Sequence, residues 1–494
     1  MRQTLYGTTV RSEWFRPIVG VMVIVALLYL LRHGRMTMGW WKVHTGDAIV
    51  LLFLTGSTML IGWWLSELPG HPLDVRAVGL WSHIAREHGP AAVTAYSLLA
   101  TEGNAHGGQP YSAMTFPYPP LLTYLFMVAG KIAPVGRVEQ TVKLLATFGV
   151  AGGGAVVFTL LRRMRVALGT AAAATGSYVL NPAILFDSAV WGQTDAFVGF
   201  FLLLGAAGGL LQSSSILWAG ALLASLTKQT GAMLALPLVA LGFVRIGPRR
   251  MLRSLPASIL GVFLILAPLL LSGVHPASTY RPLATKLVAF GTIRGMEVVN
   301  AIISQSSFTL WSVLTGLEDV HGLARMAFPD FIPSRFGLSY FALSRVVFAL
   351  FMLVLGLLSI RWRKERPGAW WGLLATCAVA MAVLLTRVQP RYLYFGVMFT
   401  AAALPWLPRL AGGAVLVTLS TTMLAAMWGM LVFTSVWYPG LLPLFEPDRS
   451  WLNAAAATML GTDLGITIGG LLNTIALLGL LWVSWRAGRT QRPW

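Results

Sequence analysis

The stretch that decides the fold is GTAAAATGSYVL at positions 169–180, NPAILFDSAVWGQTD at 181–195 and AFVGFFLLLGAAGGLL at 196–211. Two strongly apolar runs flank a junction that holds a tryptophan, an amide and a carboxylate: Trp191, Gln193 and Asp195. Polar side chains at a membrane boundary are costly unless they bind one another or a ligand. The junction therefore indicates both a membrane-spanning fold and a candidate site.

The composition of the whole chain agrees with this interpretation. Of its 494 residues, 56% are hydrophobic and only 11% are charged, and the mean hydropathy is +0.72. A soluble protein of this length could not bury so much apolar surface. Apolar runs of about 17–25 residues, the length that crosses ~30 Å of hydrocarbon, recur from end to end. We expect an all-α polytopic membrane protein with about 12–14 transmembrane helices and an outer loop that contains amphipathic helices.

The net charge of +19 would also suit a nucleic-acid-binding protein. However, the basic residues lie in short clusters between apolar runs, which is the pattern of cytoplasmic loops in membrane proteins. We therefore expect no nucleic-acid partner. The single cysteine, Cys377, lies inside an apolar run and predicts a small buried side chain. One cysteine excludes a disulfide framework within the chain and a cysteine-based metal site.

The basic clusters also predict the topology. They lie at positions 162–165, 245–253, 361–366 and 486–492. With these clusters in the cytoplasm, the loops at 273–339 and 435–463 lie outside. A further basic loop with Arg32, Arg35 and Lys42 also prefers the cytoplasm, which places the loop at 66–119 outside. Spans are expected at 17–31 and 47–65, and one of the segments 118–134 and 141–161 must be re-entrant or broken. We divide the chain into a transmembrane module, 1–434, which includes the outer loops 66–119 and 273–339, and a C-terminal part, 435–494, with an outer loop, the last helix and a basic tail.

This topology places several polar side chains at one face of the membrane. They are Asp74, the 191–195 junction, Lys228, Arg387, Arg391 and, as weaker candidates, Arg281 and Arg294. One carboxylate opposite several cations suits a substrate with a hydroxyl at one end and a phosphate at the other. Arginine and lysine bind phosphate, and a carboxylate can remove a proton from an attacking hydroxyl.

Six short elements follow one another along the chain. They are Leu73-Asp74-Val75-Arg76 with Trp81; Tyr118-Pro119-Pro120; Asn181-Pro182 with 188–195; Lys228-Gln229; 307–311; and 387–394. In this order they resemble the PIG-V-related bacterial mannosyltransferases of the GT-C superfamily. The Trp-Gly-Gln-x-Asp element at 191–195 is the most specific. The chain departs from the family at Gln389-Pro390, where the family has His-Glu, so the donor can differ.

The resemblance implies a GT-C-like architecture and an inverting transfer of a sugar, with mannose favoured. The donor would be a polyprenyl-phosphate sugar. The acceptor hydroxyl would belong to a glycan, a glycolipid or a protein at the extracytoplasmic face of a bacterial plasma membrane. Asp74 would be the general base. The donor phosphate would bind Lys228, Arg387, Arg391 and Tyr392, and the sugar or acceptor would bind Trp191, Gln193, Asp195, Gln229 and Tyr118. No cofactor and no metal is expected.

Less specific interpretations exist for each of these residues. Asp74 could cap a helix, with Glu67 as the competing base, and Asp195 could complement a helix dipole. Trp191 could belong to a lipid-facing aromatic belt, and the cations could extend to headgroups. A metal site at the outer-loop histidines (His71, His83, His88, His106) is disfavoured by their spacing. The alternative functions are a transporter or flippase of lipid-linked glycan precursors and a non-catalytic subunit.

Overall fold

The computed structural model describes residues 45–90, 92–93, 118–271, 307–318, 320–335, 337–361, 367–437, 440 and 442–487. Within these ranges the chain is helical with no extended strands, and β-type pairing is limited to isolated bridges such as the one between Pro333 and Ser339. The all-α prediction is confirmed. Several predictions fall outside the described residues: the span at 17–31, Arg281, Arg294, His106 and most of the basic clusters 361–366 and 486–492.

Eighteen α-helices lie in the described ranges. They are α1 Thr45–Ser66, α2 Pro72–His88, α3 Leu121–Ile132, α4 Val138–Arg163, α5 Leu168–Val179, α6 Pro182–Leu185, α7 Asp195–Leu210, α8 Ser214–Thr227, α9 Gln229–Ile246, α10 Pro248–Leu271, α11 Leu310–Leu314, α12 Ala324–Ala327, α13 Tyr340–Arg361, α14 Pro367–Leu384, α15 Leu393–Ala403, α16 Arg409–Trp437, α17 Trp451–Gly461 and α18 Asp463–Ala487. A π-helix, Phe186–Trp191, continues α6, and a 3₁₀ turn, Pro390–Tyr392, precedes α15.

Eight of the described helices are long and apolar enough to cross a membrane: α1, α4, α9, α10, α13, α14, α16 and α18. The prediction of a polytopic membrane protein is confirmed. Four shorter apolar helices accompany them, among them α3 with 12 residues. Such a helix is about 18 Å long, well short of the hydrocarbon thickness. This agrees with the expectation that one of the segments 118–134 and 141–161 is not a complete span.

Contacts between helix ends define two opposite ends of the helical bundle. At one end Arg162 of α4 donates to Asp47 of α1 over 2.7 Å, and Arg245 of α9 donates to the carbonyl of Gly209 over 2.9 Å. At the other end Lys228, just before α9, pairs with Asp195 at the start of α7. Helices α4 and α7 run in parallel, since Gly149 faces Ala196 and Gly153 faces Leu203. We call these the basic end and the site end.

The interior of the bundle is formed by α14 and α15, whose side chains are all buried except that of Pro367 at the start of α14. Cys377 of α14 is one of them, as expected from its apolar surroundings. Helix α14 ends at Leu384, and the chain turns through Pro390–Tyr392 before α15 begins. This turn places Arg391 beside the starts of α2 and α7 at the site end.

Candidate functional site

The π-helix and the turn that follows it present the 191–195 junction to the rest of the site. Asn181 caps α6 by accepting a hydrogen bond from the Ala183 amide over 3.0 Å. The helix then widens to the π form and stops at Gly192, whose φ of +84° is a conformation that favours glycine. The backbone N–H of Gln193 donates a hydrogen bond to the backbone carbonyl of Asp187 over 3.0 Å. Single π turns of this kind are frequent at functional sites.

Gly70 allows the segment before α2 to approach this turn closely. A Cβ at position 70 would lie 2.7 Å from the carbonyl oxygen of Val190 and 2.9 Å from that of Trp191. Real Cβ atoms do not approach a backbone oxygen so closely, and only a glycine fits here without a shift of the chain. Helix α2 then begins with Pro72 in its first turn, where proline is well tolerated, and Asp74 follows within the same turn.

Asp74 is held by three donors from two distant segments. Its Oδ2 atom accepts hydrogen bonds of 2.7 Å from Trp191 Nε1 and 2.7 Å from Gln193 Nε2, and Arg391 Nη1 lies 3.4 Å away. Burial alone would raise the pKa of this carboxyl, but the charge of Arg391 and the hydrogen bond from Trp191 hold the pKa below its ordinary value. His71, not Asp74, occupies the N-cap position of α2, so helix capping does not explain the carboxylate.

The contacts continue into a closed polar cluster of five side chains: Asp74, Gln193, Asp195, Lys228 and Arg391. Lys228 Nζ donates to Gln193 Oε1 over 3.0 Å and to Asp195 Oδ2 over 2.9 Å. Arg391 Nε lies 3.8 Å from Asp195 Oδ2, and Arg391 also contacts Asp74, so the chain of contacts is closed. Two carboxylates and two cations balance in charge, which permits the burial of groups that could not be buried singly.

Three further predicted residues adjoin this cluster. Lys228 Nζ lies 5.3 Å from the centre of the Tyr118 ring, and Gln229 follows Lys228 as the first residue of α9. Tyr392 follows Arg391 in the 3₁₀ turn. Burial raises the pKa of the Tyr118 and Tyr392 phenols, so both are neutral hydrogen-bonding groups at physiological pH.

Arg387 lies apart from the polar cluster and pairs with a residue that the sequence did not single out. Its Nε and Nη2 atoms donate to Asp330 over 2.8 Å and 3.0 Å, a two-pronged ion pair that is almost fully buried. Thr386 donates to the same carboxylate over 2.8 Å. Arg387 adopts a φ of +64°, which is uncommon for a residue with a Cβ. The structure thus joins Arg387 to the segment before α13.

A pocket opens beside Asp74. Its walls are formed by His71, Asp74, Trp191, Gln389, Pro390, Arg391, Met427 and Met430. Asp74, Trp191 and Arg391 are the predicted site residues that reach this wall, and Gln389 and Pro390 lie beside them. Gln193, Asp195 and Lys228 are nearly inaccessible and support the wall without forming it.

Burial decides between several of the interpretations left open above. Trp191 and Lys228 are each 3% exposed, which excludes a lipid-facing aromatic belt for the first and an extension to headgroups for the second. Glu67 is exposed and pairs with Arg137 over 2.9 Å, outside the pocket wall. Asp195 is the first residue of α7, so its carboxylate both pairs with Lys228 and faces the positive end of the helix dipole.

Two residues of the site were not in the predicted set. The His71 ring lies parallel to the Trp191 indole, with 5.0 Å between centroids and 3° between planes. A sequence signal existed, because His71 and Asp74 are three positions apart across a helix start. Asp187 is fully buried, and within the described chain neither carboxylate oxygen has a hydrogen-bond partner. No group of three histidine, cysteine or acidic residues in the described ranges could hold a metal ion.

The site therefore combines a carboxylate, held at one oxygen, with an arginine whose Nε is buried and lacks a hydrogen-bond partner among the described residues. Such a pair can take a proton from a hydroxyl and hold an anion in one pocket. No known protein family matches this chain, and no curated protein is similar to it. The resemblance stated above rests on the quoted motifs alone.

Proposed function

We propose that the protein is an inverting glycosyltransferase that moves a sugar, with mannose favoured, from a polyprenyl-phosphate donor to an acceptor hydroxyl. The observation that carries the proposal is the meeting of Asp74 and Arg391 in one pocket, with 3.4 Å between Oδ2 and Nη1. These are the acid and one of the cations that the motif resemblance assigns to catalysis and to the donor phosphate. The acceptor is a glycan, a glycolipid or a protein.

Asp74 is the general base in this proposal. Trp191 and Gln193 hold Oδ2, and no described residue donates a hydrogen bond to Oδ1, so that oxygen is free to accept a proton. The acceptor hydroxyl loses its proton to Asp74 as its oxygen bonds to the anomeric carbon. The bond from that carbon to the phosphate oxygen breaks, and its electron pair leaves with the polyprenyl phosphate. A single displacement of this kind inverts the anomeric configuration.

Arg391 stabilises the phosphate that leaves. Arg391 lines the pocket and its contact to Asp74 is long, so its guanidinium has donors to offer an anion. A guanidinium binds phosphate through two parallel hydrogen bonds, and neutralising the developing charge is a large catalytic contribution. Lys228 and Arg387 can reach a phosphate only by leaving Asp195 and Asp330. We therefore assign the phosphate to Arg391 first.

The surroundings of the pocket suit a lipid-linked donor. Pro390, Met427 and Met430 give one wall an apolar surface beside Arg391, where the first carbons of a polyprenyl chain can lie. The site end is opposite the basic end, and the positive-inside rule assigns the basic end to the cytoplasm. The pocket would then open on the extracytoplasmic side of a bacterial plasma membrane.

The test uses purified full-length protein in phospholipid nanodiscs with a panel of polyprenyl-phosphate sugars and octyl α-mannoside as acceptor. Asp74→Asn keeps the size of the side chain and removes the base, so kcat should fall by about 10²–10⁴-fold. Glu67→Gln, an exposed carboxylate on the same segment, is the matched control and should behave as wild type. Turnover that survives Asp74→Asn unchanged would overturn the proposal. So would movement of the lipid-linked sugar across the bilayer of vesicles that contain the protein, if no sugar is transferred to the acceptor.

A further inference from the structure

His71, a residue of the pocket wall, has a side-chain nitrogen without a hydrogen-bond partner among the described residues. Its side chain is 10% exposed and lines the pocket wall beside Asp74. Nδ1 is buried and has no hydrogen-bond partner in the described part of the chain. The nearest acidic atom is Asp74 Oδ2 at 3.7 Å, which is beyond hydrogen-bonding distance. Buried polar atoms normally have a partner, so the missing partner of Nδ1 calls for an explanation.

Helix structure does not explain the histidine. His71 is the N-cap residue of α2, a position where serine, threonine, aspartate and asparagine are preferred, yet its side chain caps no amide. It does not orient Asp74 either, because Trp191 and Gln193 already hold Oδ2 over 2.7 Å each. The aromatic stack on Trp191 would be satisfied equally by a phenylalanine. Nδ1 therefore remains without a structural role.

The position of the ring is firmly determined. Gly70 brings the chain against the carbonyls of Val190 and Trp191, and the next residue then lies flat on the Trp191 indole. Burial and the positive charge of Arg391 lower the pKa of His71, although Asp74 opposes them, so the imidazole is neutral at pH 7. A neutral ring nitrogen suits a hydroxyl, while the phosphate is better matched to the charged Arg391.

We infer that His71 binds the acceptor substrate by a hydrogen bond between Nδ1 and a carbohydrate hydroxyl beside Asp74. The inference rests on the proposed function and adds a residue that recognises the acceptor. His71 Nδ1 lies 3.7 Å from Asp74 Oδ2, so a hydroxyl that is bound at Nδ1 lies beside the Asp74 carboxylate, whose other oxygen, Oδ1, takes the proton. His71 then selects which hydroxyl is presented to the base.

Two substitutions separate the hydrogen bond from the aromatic stack. His71→Phe keeps a flat ring on Trp191 and removes both nitrogens, whereas His71→Asn loses the ring but offers an amide near the position of Nδ1. His83→Phe is the matched control, because His83 is an exposed histidine on the same helix. The probe is octyl α-mannoside, and binding is measured by calorimetry on full-length protein in nanodiscs free of glycoside detergent.

His71→Phe should weaken binding of octyl α-mannoside at least tenfold, and His71→Asn should recover most of this loss. In turnover with a polyprenyl-phosphate sugar, the His71→Phe substitution should raise the KM for the acceptor and leave the KM for the donor unchanged. Equal binding by wild type and His71→Phe, no binding by wild type, or no recovery in His71→Asn would overturn the inference. Binding is read without turnover, so failure of the proposed chemistry, read from Asp74→Asn, is distinguished from failure of this inference.

Discussion

Arg391 Nη1 lies 3.4 Å from Asp74 Oδ2, although 317 positions separate the two residues in the chain. Asp74 comes from the first turn of α2 and Arg391 from the 3₁₀ turn between α14 and α15. Each group stabilises the charged form of the other, because Arg391 lowers the pKa of Asp74 and Asp74 raises the pKa of Arg391. The ionisation of the site is therefore a property of the pair.

The first prediction concerns pH. Because the pKa of Asp74 is lowered in the folded protein, the stability that its ion pair contributes is present above the unfolded pKa of about 3.9 and is lost as the pH falls through the lowered value. We expect the part of kcat/KM that depends on Asp74 to stay constant as the pH falls, until the pH reaches the lowered pKa of Asp74. Arg391→Gln should move this acid limb to higher pH. A profile of kcat/KM against pH checks this, and an acid limb that Arg391→Gln leaves in place would contradict it.

The second prediction separates Arg387 from Arg391. Arg391→Gln should raise the KM for the polyprenyl-phosphate donor at least tenfold, and it should also lower the unfolding temperature because Asp74 and Asp195 lose a cation. Arg387→Gln leaves the buried Asp330 without its cation and should destabilise the protein by about 3–5 kcal/mol. Adding Asp330→Asn to Arg387→Gln should restore much of that stability. A donor KM that rises for Arg387→Gln in a stably folded protein would instead support direct phosphate binding by Arg387.

The third prediction concerns the buried pair of Lys228 and Asp195. Lys228→Met alone removes the partner of a fully buried carboxylate, so the free energy of unfolding should fall by about 3–5 kcal/mol. The double variant with Lys228→Met and Asp195→Leu removes both charges, so it should lose clearly less stability than the two single variants lose together. The unfolding free energies of wild type, Lys228→Met, Asp195→Leu and the double variant in one detergent give the coupling energy of the pair. Strictly additive losses would show that the two side chains do not stabilise each other.

The fourth prediction concerns the approach of Gly70 to the junction. Gly70→Ala puts a methyl group against the carbonyls of Val190 and Trp191, so we expect a loss of about 1–3 kcal/mol and weaker acceptor binding as His71 is displaced. Gly56→Ala in α1 is the control, since a Cβ there meets nothing within 4 Å. Thermal unfolding and octyl α-mannoside binding measure the two effects. A Gly70→Ala protein as stable as Gly56→Ala would contradict the close approach.

Composition was sufficient to predict the helical membrane fold. A chain with 56% hydrophobic residues lies largely in lipid, where helices satisfy the hydrogen bonds of the backbone N–H and C=O groups. Topology was sufficient to place Asp74, the 191–195 junction, Lys228 and Arg391 at one end of the helices. This required only the alternation of spans and the basic clusters. The order of elements along a membrane protein fixes which end of each helix a residue occupies.

The direction of each side chain was beyond such reasoning. Arg387 and Arg391 have the same residue type and the same boundary position, yet one pairs with Asp330 and the other with Asp74. The φ of +64° at Arg387, which no local motif signals, accompanies this difference. His71 was considered only as a metal ligand for a related reason, since its stacking on Trp191 depends on the close approach at Gly70, which its spacing from Asp74 does not reveal.

The π-helix at Phe186–Trp191 has a consequence for how this junction tolerates changes in length. A π turn holds one more residue than the α turn it replaces, and each residue of an α-helix advances about 100° around the axis. Deleting a single residue between 186 and 191 would let the segment rewind as ordinary α-helix. The indole would then rotate away from its carboxylate acceptor, while the apolar pattern of the flanking spans would hardly change. The register of this one turn, more than the hydrophobicity around it, holds the junction in shape.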